Sequence, residues 1–325
     1  MRNKIAITGA TGFAGRHAVA ELLRRGHSLA ALVRDPKRAG LPSGVDIVVG
    51  HLEDADALAR LVRGADAVIH LGAVLAARPR DYFRYNSFAT RALAEIAVKA
   101  DVKRFVFASS LAAREDALSH YGASKFAAEQ SLRHLINGSL NTIILRAPAI
   151  YGPGDRATLP LIQQLTGRVA VIPGKREQRF SLLYVKDFAR LIADAVDGGM
   201  TGLYEVSDGR PGGYRWVDLI KVAQATEGKM IRAVYVPKPV AAGVALFANV
   251  LAQVTGKAGT INPGKVRELY HDDWVAHGQQ LTPIDAVDFS RGFPETLAWY
   301  RASGWLPPRG DTTRSSVSLN REAGQ

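Results

Sequence analysis

The chain has no cysteine among its 325 residues, which excludes disulfides, thiolate metal sites, iron–sulfur clusters and a cysteine nucleophile together. Its eight histidines, at 17, 27, 51, 70, 120, 134, 271 and 277, show neither His-x-His nor His-Glu-x-x-His spacing, so no metal is expected. No apolar run is long enough to cross a bilayer. The run from Val240 to Val254 is fifteen residues interrupted by Asn249 and Gln253, where about twenty are needed. A core or lid helix is the favoured reading there; an apolar flap over a greasy substrate, or weak association with a membrane surface, stays open. Acids are outnumbered, 30 against 42 Lys and Arg, for a formal charge of +12. That suits an anionic partner, but the cations are spread along the chain without an aromatic-basic motif, and nucleic acid is not expected. The sequence enters Lys4-Ile5-Ala6-Ile7-Thr8 with no room for a signal peptide, so a cytoplasmic location is expected.

What is present is ordinary globular material, 47% hydrophobic and 22% charged. Six short apolar runs, Ile5 to Thr8, Leu29 to Val33, Ile47 to Val49, Ala67 to His70, Phe105 to Ala108 and Thr142 to Leu145, read as strands. Between the first two, Ala14, Ala18, Val19 and Leu22 share one helical face and Gly26 ends it. Further helices are expected near 54–62, 83–99 and 121–136. The alternation predicts an α/β fold, a doubly wound parallel sheet of the Rossmann type with its ligand crevice at the carboxyl ends of the strands. It spans residues 1–154. Residues 155–308 read as a smaller mixed α/β substrate-binding part, partly interleaved with the first through a seventh strand near 180–185, and 309–325 as a disordered tail.

Gly9-Ala10-Thr11-Gly12-Phe13-Ala14-Gly15 follows the first strand and opens the first helix, the context that a dinucleotide fingerprint requires. Glycine leaves no Cβ between backbone and pyrophosphate, and the helix start offers free N–H groups. At the end of the second strand Arg34, with Lys37 or Arg38, offers donors for a ribose 2′-phosphate, so NADP(H) is preferred. Asp35 would favour NAD(H) if the turn rotated its carboxylate onto the ribose. Tyr121 and Lys125, four apart, share a helix face, and the pair Ser109-Ser110 ends the fifth strand just upstream. A phenol acts as acid and base when its anion is stabilised, which a lysine ammonium can do, while a serine hydroxyl orients the reacting oxygen.

These glycines, the serine pair, Tyr121-Gly-Ala-Ser-Lys125 and Leu145-Arg-Ala-Pro-Ala-Ile-Tyr-Gly-Pro-Gly-Asp155 together resemble the extended short-chain dehydrogenases/reductases, the NAD(P)-dependent epimerase/dehydratase family. His70-Leu-Gly-Ala73, Tyr85-Asn86 and Tyr184-Val-Lys-Asp187 are similar to that family as well. The resemblance implies that Tyr121 is the acid/base, Lys125 its activator and ribose ligand, and Ser110 the substrate-orienting hydroxyl, with Ser109 the adjacent alternative. It implies cofactor contacts from Gly9, Thr11, Gly12, Phe13, Gly15, Arg34, Leu52, Gly72, Ala73, Ser109, Tyr121, Lys125 and Pro148. His51 stands where the family usually has an aspartate near the adenine, and the ten residues between Ser110 and Tyr121 are fewer than sugar-nucleotide members carry. The apolar stretch 239–254 looks more like the 3β-hydroxysteroid dehydrogenase and dihydroflavonol reductase branches. The implied activity is hydride transfer between NADP(H) and a secondary alcohol or ketone of a small apolar ring compound. A sugar-nucleotide epimerase/dehydratase and a non-catalytic NADPH-binding subunit are the alternatives. A homodimer through the helices near 83–99 and 121–136 is also implied.

Overall fold

The computed structural model describes residues 2–75, 77–133, 138, 140–255 and 263–308. Strands and helices alternate through the first part: β1 Lys4–Thr8, α1 Phe13–Arg24, β2 Ser28–Val33, β3 Val45–Val49, α2 Ala55–Val62 and β4 Ala67–His70. A short α3, Pro79–Tyr82, runs through a π-helical turn, Phe83–Phe88, into α4 Ala89–Lys99, and β5 Arg104–Ser110, α5 His120–Arg133 and β6 Asn141–Ala147 follow. Next come β7 Ala149–Tyr151, α6 Leu159–Leu165, β8 Val169–Ile172, β9 Arg179–Phe180, β10 Leu182–Tyr184, α7 Val185–Asp197 and β11 Gly202–Val206. The chain ends with α8 Trp216–Glu227, β12 Arg232–Tyr235, α9 Lys238–Thr255, α10 Pro263–Leu269, β13 Asp273–Trp274, β14 Gln280–Leu281 and α11 Phe289–Ala302. The tail expected over 309–325, and the end of the helix expected to reach 136, lie outside the described residues.

Eight parallel strands form the main sheet in the order β3-β2-β1-β4-β5-β6-β11-β14. All six strands expected from the apolar runs are there. Alternation along each strand sends side chains to both faces, so both must be covered. Ile5 and Ile7 of β1 join Val106, Ile143, Leu191 and Ile192 on the side of α1 and α7, while Ala6 joins Phe105, Ile144, Leu58, Leu93 and Leu132 beneath α2, α4 and α5. Each such fully buried aliphatic side chain stabilises the fold by roughly 1.5–3 kcal/mol. Gly26 follows α1 with φ of +84°, as its position requires.

The seventh strand of the sheet is not the 180–185 segment. That segment forms β9 and β10, each in a small two-stranded sheet with β13 or β7, and the chain returns to the main sheet as β11 and β14. The run Phe180-Ser-Leu-Leu-Tyr184 is extended as its composition predicts, but it pairs with β7, at the end of the first part, and with β13 of the covering part instead of joining the main sheet. No described helix is long and apolar enough to cross a membrane.

Candidate active site

Glycine positions at the carboxyl end of β1 are set by contact. Gly9 has φ of +75°, and a Cβ on it would come within 2.7 Å of the Gly72 nitrogen. A Cβ on Gly15 would lie 2.0 Å from the Gly9 oxygen. Gly12 precedes the first turn of α1 in extended conformation with no side chain capping it, so the N–H groups that open the helix face a ligand position. The cradle therefore fits a pyrophosphate on its own geometry. Thr11 is tied in through its carbonyl, which accepts from Arg16 Nε at 3.1 Å; the same guanidinium donates to the carbonyls of Ala39 and Gly40, joining the glycine loop to the loop after β2.

Arg34 is exposed immediately after β2. Asp35 accepts the Lys37 N–H at 3.0 Å, caps the short turn Pro36–Arg38 and lies 3.5 Å from Arg38 Nε, so its carboxylate is engaged within its own turn. At the end of β4, Thr8 hydrogen-bonds His70 at 2.6 Å, and His70 also meets Thr90 at 2.9 Å. Burial, with the Lys125 charge adding to it, pulls the His70 imidazole down to about 3, so it is neutral and structural. Leu52 and Gly72 lie together: a Cβ on Gly72 would be 3.2 Å from Leu52 Cδ1. Asn86, in the π-helical turn, accepts from Val74 N and donates to the Val74 carbonyl, fixing the Gly72–Val74 loop, and also donates to Ser124 on α5. Phe13 opens α1, where His17 hydrogen-bonds the Pro153 carbonyl at 2.8 Å and brings the Pro148–Gly154 segment alongside. His51 is exposed, its ring accepting from the Glu53 N–H.

Residues 109 and 110 are consecutive on β5 and so face opposite ways. Ser109 turns inward to donate to Glu129, which holds Arg146 at 2.6 Å in a buried pair. Ser110 caps the turn Leu111–Glu115, accepting from Ala112 N, and its hydroxyl lies beside the Tyr121 phenol. Burial pushes the Tyr121 phenol up to about 12, with the Ser110 hydroxyl acting the other way and the nearby Glu268 charge adding to the rise. Lys125 is 2% exposed, donates to the Ala108 carbonyl at 2.6 Å and sits 4.1 Å above the Phe107 ring. Burial lowers its ammonium to about 7, opposed by the Glu129 carboxylate. Ser110, half-buried Tyr121 and buried Lys125 thus lie together at the carboxyl end of β5, whereas the Ser109 side chain turns away to Glu129.

Two contacts had no signal in the sequence. Glu268 on α10 accepts from Ser119, whose hydroxyl also receives the Gly122 N–H at 2.9 Å, and Arg267 donates to the Leu118 carbonyl at 2.7 Å. Together they clamp the turn that leads into Tyr121. Among the described residues no group of three or more His, Asp or Glu is placed to hold a metal.

Residues 5–203 match the NAD dependent epimerase/dehydratase family. Ceramide reductase of Caulobacter vibrioides is 38% identical over 312 residues, covering 94% of this chain and 97% of that one. A 3β-hydroxysteroid dehydrogenase/Δ5→4-isomerase of Mycobacterium tuberculosis is 27% identical over 64% of this chain and 65% of its own length. The solved UDP-glucose 4-epimerase of Thermotoga maritima superposes with a TM-score of 0.70 at 19% identity, covering 92% of this chain and 99% of that one, which is a likeness of fold. With the glycine cradle, the Rossmann sheet and a family match over most of the chain, this protein belongs to the NAD-dependent epimerase/dehydratase family of extended short-chain dehydrogenases and is an NAD(P)-dependent oxidoreductase.

Proposed function

We propose that the chain is an NADPH-dependent reductase acting on the ketone of an apolar, ceramide-type lipid. The observation that carries the reading is the Tyr121 phenol placed beside the Ser110 hydroxyl at the sheet edge and pushed by burial up to about 12. A phenol in that range is protonated throughout the neutral region, the state from which it gives a proton to a carbonyl oxygen. Ser110 holds that oxygen by its hydroxyl, Tyr121 donates the proton, and the Lys125 ammonium favours the phenolate left behind. When bound, the nicotinamide supplies the hydride. Exposed Arg34 supports the 2′-phosphate preference, because Asp35 is already occupied within its turn.

The substrate class is taken from a relative that covers 94% of this chain and is named a ceramide reductase. The ring-shaped alternative rests on the 3β-hydroxysteroid dehydrogenase, alike over a shorter span. Oxidation of NADPH should be followed with a ketone of a ceramide-type lipid, a steroid ketone and a UDP-sugar. Turnover of the lipid is expected, and Tyr121→Phe should lower it by about 10²–10⁴-fold with cofactor affinity retained. Turnover of the steroid alone would move the assignment to the ring class; a fully active Tyr121→Phe would end the mechanism. Arg34→Ala should weaken NADPH about tenfold and leave NADH unchanged.

A further inference from the structure

Most of the exposed large apolar side chains lie in one region of the covering part. β8 and β12 form a parallel ribbon in which Val171 pairs with Val234 and Val169 with Arg232. Ala170 and Ile172 point into the core, while Val169, Val171 and Val234 stand out to solvent, and Met230, just before β12, is 81% exposed. The apolar surface continues into α9. Val236 N donates to the Ile172 carbonyl at 2.9 Å and Tyr270 donates to the Val236 carbonyl at 2.6 Å, so the start of α9 is fixed at the end of the ribbon. There Val240, Val244 and Leu246 are each more than half exposed, whereas Ala245 packs inward with Val266 and Tyr270.

Basic residues predominate in the same region, although Lys175, Lys229 and Lys265 are paired with Asp272, Glu227 and Glu268. Residues 156–176 carry four Lys or Arg, the described residues 228–255 and 263–267 carry five, and these stretches contain no Asp or Glu. Arg168, Arg232 and Lys238 are exposed beside the valines. A second copy related by a two-fold axis would set these cations against their own kind. An anionic bilayer accepts both features: apolar side chains enter the headgroup boundary, and each basic residue near the surface adds about five-fold to partition. The face also borders a cavity. Lys238, the first residue of α9, lines a cavity of about 410 Å³ with Leu118, Lys175, Arg267, Asp272 and Asp273, and Leu118 lies three residues before Tyr121 in the chain.

We propose that the β8–β12 ribbon and the first turns of α9 dock on an anionic phospholipid bilayer and hold the cavity beside Leu118 at headgroup level. The docking stands on this surface and not on the substrate reading above, so it is tested without substrate. The full chain should co-sediment with vesicles of phosphatidylcholine and phosphatidylglycerol at about 70:30, and its partition should fall at least tenfold on pure phosphatidylcholine or in 0.5 M salt. The double variant Val240→Glu/Val244→Glu should lose about tenfold, as should Arg232→Glu/Lys238→Glu, with NADPH binding unchanged as the check on folding. No binding to the anionic vesicles, or undiminished binding by both variants, would overturn the proposal. So would a dimer in size-exclusion chromatography that the valine variant turns into monomer, since a second copy would then cover the face.

Discussion

The sheet and the part that covers it are built from different side chains. The core beside α1 and α7 is aliphatic, with Phe188 its one enclosed aromatic among the described residues, whereas the core of the covering part adds to its aliphatics Tyr151, Phe180, Tyr184, Tyr214, Trp216, Phe289, Phe293 and Tyr300. Aliphatic residues repeated at a fixed period suit a sheet sandwiched by helices. Large rings fill an irregular volume between short strands and loops, and their polar ends reach distant backbone: Tyr300 donates to the Asp155 carbonyl and Tyr151 to the Asp288 carbonyl. The phosphate cradle belongs to the first region. The clamp on the Tyr121 turn comes from the second.

That division can be broken from the sheet side, and there the largest effect is expected. Gly15→Ala puts a Cβ 2.0 Å from the Gly9 oxygen, a backbone atom, so the cradle must distort. NADPH affinity should fall by more than about a hundredfold, since the pyrophosphate contacts depend on close backbone approach. All four tryptophans, at 216, 274, 299 and 305, lie in the covering part, so tryptophan emission reports chiefly on that region, with Trp299 nearest the cradle through Gly154. Unchanged emission with lost cofactor binding would support two separable regions. A red-shifted emission would show that the sheet lesion spreads and that the contrast does not describe how the molecule is held together.

The same contrast explains what could be read from the residues. β1, β2, β4, β5 and β6 announce themselves as apolar runs because both of their faces are buried. β11 was missed because Glu205 interrupts its pattern. That glutamate is 3% exposed and receives the His277 N–H at 2.8 Å, with Arg114 and Arg146 at 3.4 and 3.7 Å, partners that no local window contains. Ser110 and Ser109 could be told apart only once the direction of β5 was known. Tyr121 and Lys125 were legible from spacing, but Glu268 and Ser119 lie 149 residues apart and carry no shared periodicity.

A second, smaller effect tests the edge where the regions meet. Burial holds the Lys125 ammonium at about 7, below its ordinary value, so its charge is present under that pH and lost as pH rises through it. If the charged form is the one that favours the Tyr121 phenolate, kcat/KM for reduction should decline above about pH 7, approaching tenfold per unit. The profile is measured from pH 6 to 9 with NADPH saturating. A flat profile to pH 9 would show that the ammonium either stays charged or is not needed.

The smallest effect should come from the covering side. Glu268→Gln keeps the shape of the side chain that accepts from Ser119 but removes its charge, and with it the 3.0 Å ion pair to Lys265. Two consequences follow at Tyr121. The turn from Leu118 to Gly122 loosens slightly, so kcat should fall by about three- to tenfold while NADPH affinity, set in the sheet region, stays constant. The phenol also loses a negative charge that helps to raise it, so its titration should move down from about 12. A residue that only supported the fold would not produce that shift, which makes the Tyr121 titration the informative readout, followed by ultraviolet difference absorption. A Glu268→Gln enzyme with unchanged kcat and an unmoved phenol would mean that α10 covers the site without positioning anything in it.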